Sequence, residues 1–218
     1  MKKLAMFDVD YTLTSKETMI EFYKFMLKRN IKYIKNVPAT TKASLLYLVK
    51  DRNLKLFKES FMSFIQGITE EEMDQIVQEF YEKRIKNILY KDGIEMLKQL
   101  KYEGYDVYLI SASPEFYLKT LYEIKEVDMI IGTRYKVDNG IYTSRIVGEN
   151  CKGQEKVIRL KSYLESNGIE VDYKNSFMFS DSLSDLPLLR LAGKSFLINF
   201  KNGKGKDSYS GIGILNWK

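Results

Sequence analysis

The chain has 218 residues, of which 44% are hydrophobic and 29% are charged, and its formal net charge is +6. This size and composition suit a globular protein with one catalytic core and an additional subdomain. A single cysteine excludes an internal disulfide bond and is typical of a reducing compartment, so we expect a cytoplasmic protein. The basic residues are spread along the chain, which argues against a nucleic-acid partner.

The chain contains no histidine, and this absence limits its chemistry. A Ser-His-Asp triad and a histidine-ligated metal site are both excluded, so acid–base catalysis near neutral pH would fall on carboxylates, lysine, tyrosine or cysteine. The first apolar run is too short for a signal peptide, and no stretch is apolar for long enough to cross a membrane. We therefore expect neither a signal peptide nor a membrane span.

The first predicted strand, residues 4–7, ends at two carboxylates, Asp8 and Asp10. Side chains two residues apart in an extended chain project to the same side. Because neighbouring carboxylates repel each other, such a pair commonly holds a cation or shares a proton. An acidic turn after a strand is the alternative interpretation.

Residues 15–89 are predicted to be helical. Apolar residues recur at helical spacing in four segments, residues 17–29, 38–48, 54–67 and 70–80. Thr69 precedes three glutamates in a pattern typical of a helix start. The methionine and aromatic stripes predict a packing core shared by these helices. The basic run at residues 24–35 is interpreted as a solvated helix face; contact with an anionic membrane surface or substrate is the alternative.

From residue 90 the pattern changes to alternating helices and strands, which predicts a parallel sheet with crossover helices. Strands are predicted at residues 107–110, 129–131, 177–179, 195–198 and 212–215. Asn139-Gly140 predicts a β-hairpin turn, and residues 154–166 predict a helix that carries Lys156 in its first turn.

Two of these strands end at polar residues. Ser111 follows one, and Ser113 is predicted to cap the next helix, with Pro114 at its first position. A ligand beyond Ser111 would therefore face a strand end and a helix N-terminus together. Asp181 follows another strand, and Ser184 is predicted to cap the helix after it.

Asp185 lies in the first turn of that last helix. Because the carboxyl ends of parallel strands meet at one edge of a sheet, we expect Asp8, Ser111 and Asp181 to converge. Carboxylate oxygens are the ligands that Mg²⁺ prefers. Helix capping is the alternative role for Asp181 and Asp185.

Four stretches, in this order, resemble the motifs of haloacid dehalogenase-like hydrolases. They are Asp8-Val9-Asp10-Tyr11-Thr12, Ser111, Lys156 and Ser180-Asp181-Ser182-Leu183-Ser184-Asp185. The chain most resembles the phosphoserine-phosphatase-like branch of that superfamily (subfamily IB). The resemblance implies an α/β fold: a Rossmann-like parallel sheet with helices on both faces, formed by residues 1–14 and 90–218, and an inserted helical cap at residues 15–89.

The resemblance also implies catalytic roles. Asp8 is similar to the nucleophile that attacks phosphorus and becomes an aspartyl phosphate, and Asp10 to the acid–base residue. Ser111 and Lys156 match residues that bind phosphoryl oxygens.

The same resemblance implies a Mg²⁺ site. Asp8, the main-chain carbonyl of Asp10 and Asp181 match its ligands, with Asp185 as a further ligand or as a partner of the ligands.

Two departures from the family pattern bear on the substrate. Phosphoserine phosphatases have a cap arginine for the substrate carboxylate where this chain has Phe61, and glycines after the second-motif serine where it has Ala112. Glu17 lies nine residues after Asp8, at the spacing of the family's glutamate that meets the substrate amine. Glu17 and Ala112 are therefore candidate substrate contacts, and we expect amine-bearing phosphate esters to be preferred and phosphoserine to be a poor substrate. The alternative for Glu17 is a purely local role in the first turn of a helix.

Together these observations predict a Mg²⁺-dependent phosphomonoesterase acting on a small phosphorylated metabolite. A phosphotransferase or mutase on the same fold is one alternative, and a non-catalytic module that binds a phosphate ligand is another. A dehalogenase is disfavoured, because that branch lacks the acid–base aspartate that Asp10 supplies.

Overall fold

The computed structural model describes residues 1–29, 53–201 and 209–218, and its centre is a six-stranded sheet. All of its strand pairs are parallel, in the order β3-β2-β1-β6-β7-β8. The strands are β1 Leu4–Phe7, β2 Asp106–Pro114, β3 Val127–Thr133, β6 Phe177–Ser180, β7 Lys194–Ile198 and β8 Gly213–Leu215; β4 Tyr135–Asp138 and β5 Ile141–Ile146 form a separate antiparallel hairpin. The predicted Rossmann-like α/β fold is confirmed.

Strand β1 lies inside the sheet because all four of its side chains are apolar and both of its faces are covered. Ala5 and Phe7 join the hydrophobic core on one face, and Leu4 and Met6 join the core on the other. Phe7 stacks on Phe179 of β6 with ring centroids 4.6 Å apart. This double burial fixes the point at which the chain leaves the sheet, directly before the first carboxylate of the site.

Helices flank the sheet and form the segment that follows β1. Within the described residues they are α1 Thr18–Arg29, α2 Leu54–Phe61, α3 Glu70–Lys83, α4 Lys91–Tyr102, α5 Glu115–Leu118, α6 Gln154–Ser166 and α7 Leu186–Leu189, with short 3₁₀ turns between some of them. The helix predicted at residues 38–48 lies outside the described residues. In the described part of the chain, no helix is both long enough and apolar enough to cross a membrane.

The predicted cap core is aromatic. Phe22 of α1 lies 5.0 Å from Phe80 of α3 and 5.9 Å from Phe64, measured between ring centroids. Thr69 caps α3 as predicted, since its hydroxyl accepts a hydrogen bond from the Glu72 main-chain N–H. The domain limits at residues 15–89 stay a prediction.

The hairpin lies against the cap helices. Asn139 and Gly140 have φ of 49° and 75°, as the tight hairpin turn predicted there requires. Tyr142 exchanges main-chain hydrogen bonds with Gly67 and Ile68 at 3.0 and 2.8 Å. The hairpin therefore packs against the cap, although its sequence lies within residues 90–218, which were predicted to belong to the core.

Two predicted helix caps are wrong. Strand β2 continues to Pro114, so Ser113 lies in a strand and makes no cap for α5. Ser184 is not a cap either: its main-chain N–H donates to the side chain of Ser182, which caps a short 3₁₀ turn before α7. Serine next to proline or aspartate is typical of helix starts. Here a tertiary hydrogen bond to Asp10 engages Ser113, and local hydrogen bonds to Ser182 engage Ser184.

Candidate active site

Asp8 follows β1 directly and continues its hydrogen bonding to β6. Its main-chain N–H donates to the Phe179 carbonyl at 2.9 Å, and the residue is 7% exposed. It lines a cavity of about 400 Å³ together with Asp10, Lys156, Asp181 and Asp185. Asp8 and Asp181 therefore reach one site at the carboxyl edge of the sheet, as the parallel strand order requires.

Lys156 lies between two carboxylates. Its Nζ donates to Asp8 Oδ1 at 2.8 Å and to Asp185 Oδ2 at 2.6 Å, and the residue is 1% exposed. Burial by itself lowers the pKa of Lys156, but the two carboxylates outweigh it and raise that pKa above its ordinary value. The ammonium is therefore charged at neutral pH. The family motifs predicted Lys156 as a phosphate-binding residue but did not predict its contact with Asp185.

The carboxyl group of Asp185 is held on one side only. Its Oδ2 accepts from Lys156 and from Ser180 Oγ at 2.9 Å, whereas its Oδ1 is buried without a hydrogen-bond partner in the described structure.

Burial and the charge of Asp185 raise the pKa of Asp181 to about 6. Burial likewise raises the pKa of Asp8 to about 7, against the opposing effect of Lys156.

These oxygens fit a hard divalent cation in chemistry. Buried carboxylates with raised pKa values repel one another, and Asp185 Oδ1 is an acceptor that lacks a partner. Across residues 1–29, 53–201 and 209–218, however, no three acidic or cysteine side chains stand close enough to enclose a metal ion. Lys156 supplies the positive charge between Asp8 and Asp185 in this arrangement.

Asp10 is held in a tight loop. Tyr11 has a φ of 57°, and the Val9 carbonyl accepts the main-chain N–H groups of the three residues that follow Tyr11. The Asp10 carboxylate accepts from the Thr18 main-chain N–H at 2.7 Å and from Ser113 Oγ at 2.6 Å. Both carboxylate oxygens of the predicted acid–base residue are therefore hydrogen-bonded.

Ser111 and Ala112 are neighbours near the end of β2. Ser111 is 1% exposed, and its Oγ accepts from the Ser113 main-chain N–H at 3.0 Å, which leaves its own hydroxyl proton for another acceptor. Ala112 lines the cavity. The Ala112 carbonyl accepts from Lys58 Nζ at 2.6 Å and from Thr133 Oγ1 at 2.7 Å. The structure thus places Ala112 in the cavity, whereas Ser111 is not among the described residues that line it. The ligand contacts of both residues stay predictions.

Glu17 lines the same cavity. Its Oε2 accepts the Ile20 main-chain N–H at 2.8 Å, so it also serves the first turn of α1. Burial raises the pKa of Glu17 to about 7, and the charge of Asp10 adds to that effect. The local and the ligand-facing interpretations of Glu17 are therefore compatible.

The sequence interpretation missed Lys58. This residue lies on α2, lines the cavity and donates to Ala112 and to Asn150 Oδ1, the latter at 2.9 Å. Burial lowers the pKa of Lys58 to about 8. Phe61, one turn further on, packs against Tyr23 with ring centroids 5.1 Å apart. Phe61 offers no charge to a substrate, whereas Lys58 on the same helix adds a cation to the cavity.

No local signal separates Lys58 from its neighbour Lys55 on the same helix. Only the contact between α2 and the end of β2 selects Lys58. The rest of the cap side of the cavity is largely apolar. The apolar cap residues there are Met19, Ile20, Leu54 and Phe57, and Tyr11 of the loop after β1 lies beside them.

The fold and site define an α/β protein with acidic residues and a buried lysine at the carboxyl edge of a parallel sheet. A family model of haloacid dehalogenase-like hydrolases matches residues 5–190. The chain belongs to this family, as the four motifs predicted.

Named relatives agree with this assignment. The chain is 28% identical over 200 residues to phosphoserine phosphatase SerB1 of Mycobacterium tuberculosis; the match covers 89% of this chain and 64% of that protein, so the chain spans less than two thirds of this relative. It is 26% identical over 226 residues to a histidinol-phosphatase of Neisseria meningitidis, with both chains fully covered. A crystal structure of a Bordetella pertussis protein of unknown function has a TM-score of 0.85 at 21% identity and covers 98% of each chain, which shows the same fold.

Proposed function

We propose that the protein is a Mg²⁺-dependent phosphomonoesterase that hydrolyses a small phosphorylated metabolite through an aspartyl phosphate. The observation that carries this proposal is the placement of Asp8, which opens into a cavity at the sheet edge with Lys156 2.8 Å away. A carboxylate in that position is a nucleophile, and a buried cation beside it offsets the charge of an incoming phosphate. The phosphatase names of two relatives support the same reaction.

Asp8 and Asp10 divide the work between them. Lys156 engages Asp8 Oδ1, so we assign the attack on phosphorus to Asp8 Oδ2. As the new bond to phosphorus forms, the ester bond breaks and Asp10 gives its proton to the leaving oxygen. Asp10 then takes a proton from water, and the resulting hydroxide releases inorganic phosphate from Asp8.

Asp8, the main-chain carbonyl of Asp10, Asp181 and Asp185 would hold Mg²⁺. When bound, the ion neutralises negative charge on the phosphate and on these carboxylates. The unpartnered Oδ1 of Asp185 supports this assignment, since it is an acceptor that such an ion would satisfy.

Ser111 and Lys156 would bind the phosphoryl oxygens. Ser111 accepts a main-chain hydrogen bond and so keeps its hydroxyl proton for the ligand. Lys156 has three N–H donors, and two of them make hydrogen bonds to Asp8 and Asp185. The third is left for a phosphoryl oxygen.

The alcohol part of the substrate would face Glu17 and the apolar residues of the cap. A negative charge on Glu17 favours an amine or similar donor, and the apolar wall favours hydrocarbon next to it. Lys58 adds a cation to the same cavity. The prediction that phosphoserine is a poor substrate, which rests on Phe61 in place of the cap arginine, stays a prediction.

The test is release of inorganic phosphate from a panel of esters in the presence of Mg²⁺. The panel includes amine-bearing alkyl phosphates, phosphoserine, sugar phosphates and p-nitrophenyl phosphate, with Asp8→Asn as the control for contaminating activity. We expect turnover of at least one alkyl ester by the wild type and none by the variant. Failure of the wild type to hydrolyse any of these esters would contradict the proposed function.

A further inference from the structure

Ser113 makes a short hydrogen bond to the acid–base residue. Its Oγ donates to Asp10 Oδ2 at 2.6 Å, while the Thr18 main-chain N–H donates to Oδ1 at 2.7 Å. One donor comes from the end of β2 and the other from the start of α1, so two separate elements hold the carboxylate. Each oxygen keeps a further lone pair for a proton or for substrate.

A chain of hydroxyl groups lies behind Ser113. Thr18 Oγ1 is 3.0 Å from Ser113 Oγ and 3.1 Å from the Tyr117 hydroxyl. Ser113 donates its hydroxyl proton to Asp10 Oδ2. Ser113 has only one proton, so it accepts from Thr18, and Thr18 in turn accepts from Tyr117. All three residues are at most 1% exposed, which keeps water from competing for these bonds.

The backbone leaves Ser113 free for this contact. Strand β2 runs to Pro114, and α5 begins at Glu115 without a side-chain cap. Ser111 and Ser113 are two residues apart on β2, yet they serve different partners. The main-chain N–H of Ser113 fixes the Ser111 hydroxyl, whereas its side chain reaches Asp10.

We propose that Ser113 is a positioning residue that, backed by Thr18 and Tyr117, holds the Asp10 carboxylate in place to protonate the leaving oxygen. This inference rests on the proposed phosphatase function. In that step the bond from Asp8 to phosphorus forms, the bond from phosphorus to the ester oxygen breaks, and the Asp10 proton moves to that oxygen. Such a transfer requires the acid within hydrogen-bond reach of the atom that it protonates.

The consequence is a dependence on the leaving group. An alkoxide needs the proton from Asp10, whereas p-nitrophenolate can leave without it. The value of kcat/KM reports the steps up to the departure of the leaving group and is not affected by later hydrolysis of the aspartyl phosphate. Loss of Ser113 should therefore lower kcat/KM selectively for alkyl esters.

The experiment measures kcat/KM for p-nitrophenyl phosphate and for the best alkyl ester of the panel, with Mg²⁺ present. For Ser113→Ala we expect the alkyl value to fall roughly tenfold to hundredfold and the aryl value by less than about threefold. Ser176→Ala is the matched control, because Ser176 is another buried serine whose hydroxyl bonds Leu4 and Asp172. It should leave the ratio of the two values unchanged.

Tyr117→Phe provides a second variant that keeps the buried ring. We expect a smaller fall in the alkyl-to-aryl ratio of kcat/KM than for Ser113→Ala, and no further fall when Ser113 is already alanine. If Ser113→Ala does not fold, the alkyl-to-aryl ratio of kcat/KM measured for Tyr117→Phe tests the positioning role instead. Equal losses for both esters, or an unchanged ratio in both variants, would overturn the positioning role. An inactive wild type would instead overturn the proposed function, and this inference with it.

Discussion

Lys156 Nζ lies 2.8 Å from Asp8 Oδ1, and both residues are buried. The contact joins the first turn of α6 to the end of β1, which are 148 residues apart in the sequence. A buried carboxylate and a buried ammonium are each costly alone, so each one depends on the other. This mutual dependence makes Lys156 both a structural and a chemical part of the site.

Replacement of Lys156 by methionine should therefore reduce activity and stability together. We expect a loss of roughly 10²-fold or more in kcat, because a cation preorganised beside the reacting phosphate is removed. The melting temperature should also fall, since Asp8 and Asp185 lose a buried partner. Lys161→Met, the same change at an exposed position of α6, is the control and should alter neither quantity. Wild-type kcat in Lys156→Met would contradict this role.

The metal assignment predicts a requirement for Mg²⁺. Chelation should abolish phosphate release, and Ca²⁺ should restore it poorly because it takes more ligands at longer distances than Mg²⁺. Mg²⁺ should also raise the melting temperature, as any ligand of the folded state does. Asp181→Asn should weaken that rise, and Asp138→Asn, an exposed aspartate of the hairpin, should not. Full activity after exhaustive chelation would contradict the assignment.

Glu17 should make stability depend on pH. Its pKa rises from 4.5 to about 7 on folding, so between these values the folded state holds a proton that the unfolded state has lost. The contribution of protonated Glu17 to the free energy of unfolding is complete below about pH 4.5 and is lost as the pH rises through about 7. Wild type and Glu17→Gln should therefore have similar melting temperatures at pH 4, and the wild type should fall below the variant by pH 8.

Glu71→Gln on the exposed face of α3 is the control for that series. A melting-temperature difference between wild type and Glu17→Gln that does not change with pH would contradict the partial burial of Glu17 in the structure.

Glu17 should also discriminate among substrates. Glu17→Gln should raise KM for an amine-bearing ester roughly tenfold, because a hydrogen bond to a charged group is lost, and should leave p-nitrophenyl phosphate nearly unchanged. Lys58→Met should lower KM for the amine ester, since it removes a like charge from the same cavity. An equal rise in KM for both esters in Glu17→Gln would contradict a contact with the amine.

The sequence was sufficient to place Asp8 and Asp181, because both follow apolar strands and parallel strands end at the same edge. It was not sufficient for Ser113. The run Ser113-Pro114-Glu115 has the local pattern of a helix start, and the strand extends through it because Ser113 bonds Asp10, a residue 103 positions away. Local patterns do not contain such a contact.

Lys58 and the partner of Asp185 were missed for a related reason. Lys58 becomes a cavity residue only through the position of α2 over the end of β2, and Asp185 meets Lys156 only when α6 and α7 lie side by side. A family resemblance predicts roles only for the residues that match one of the family's motifs. Residues outside the motifs, such as Lys58 and Tyr117, require the three-dimensional arrangement.

The most direct test of the account is the site of phosphorylation. Acid quenching of the enzyme during turnover of a radiolabelled aryl phosphate, whose leaving group needs no proton from Asp10, followed by peptide mapping, identifies any covalent phosphoenzyme. We predict label on Asp8 in the wild type and more of it in Asp10→Asn, in which hydrolysis of the intermediate is slowed. Asp8→Asn should carry no label although it remains folded by circular dichroism. A stable phosphoenzyme on Asp8→Asn would contradict the assignment of Asp8 as the nucleophile.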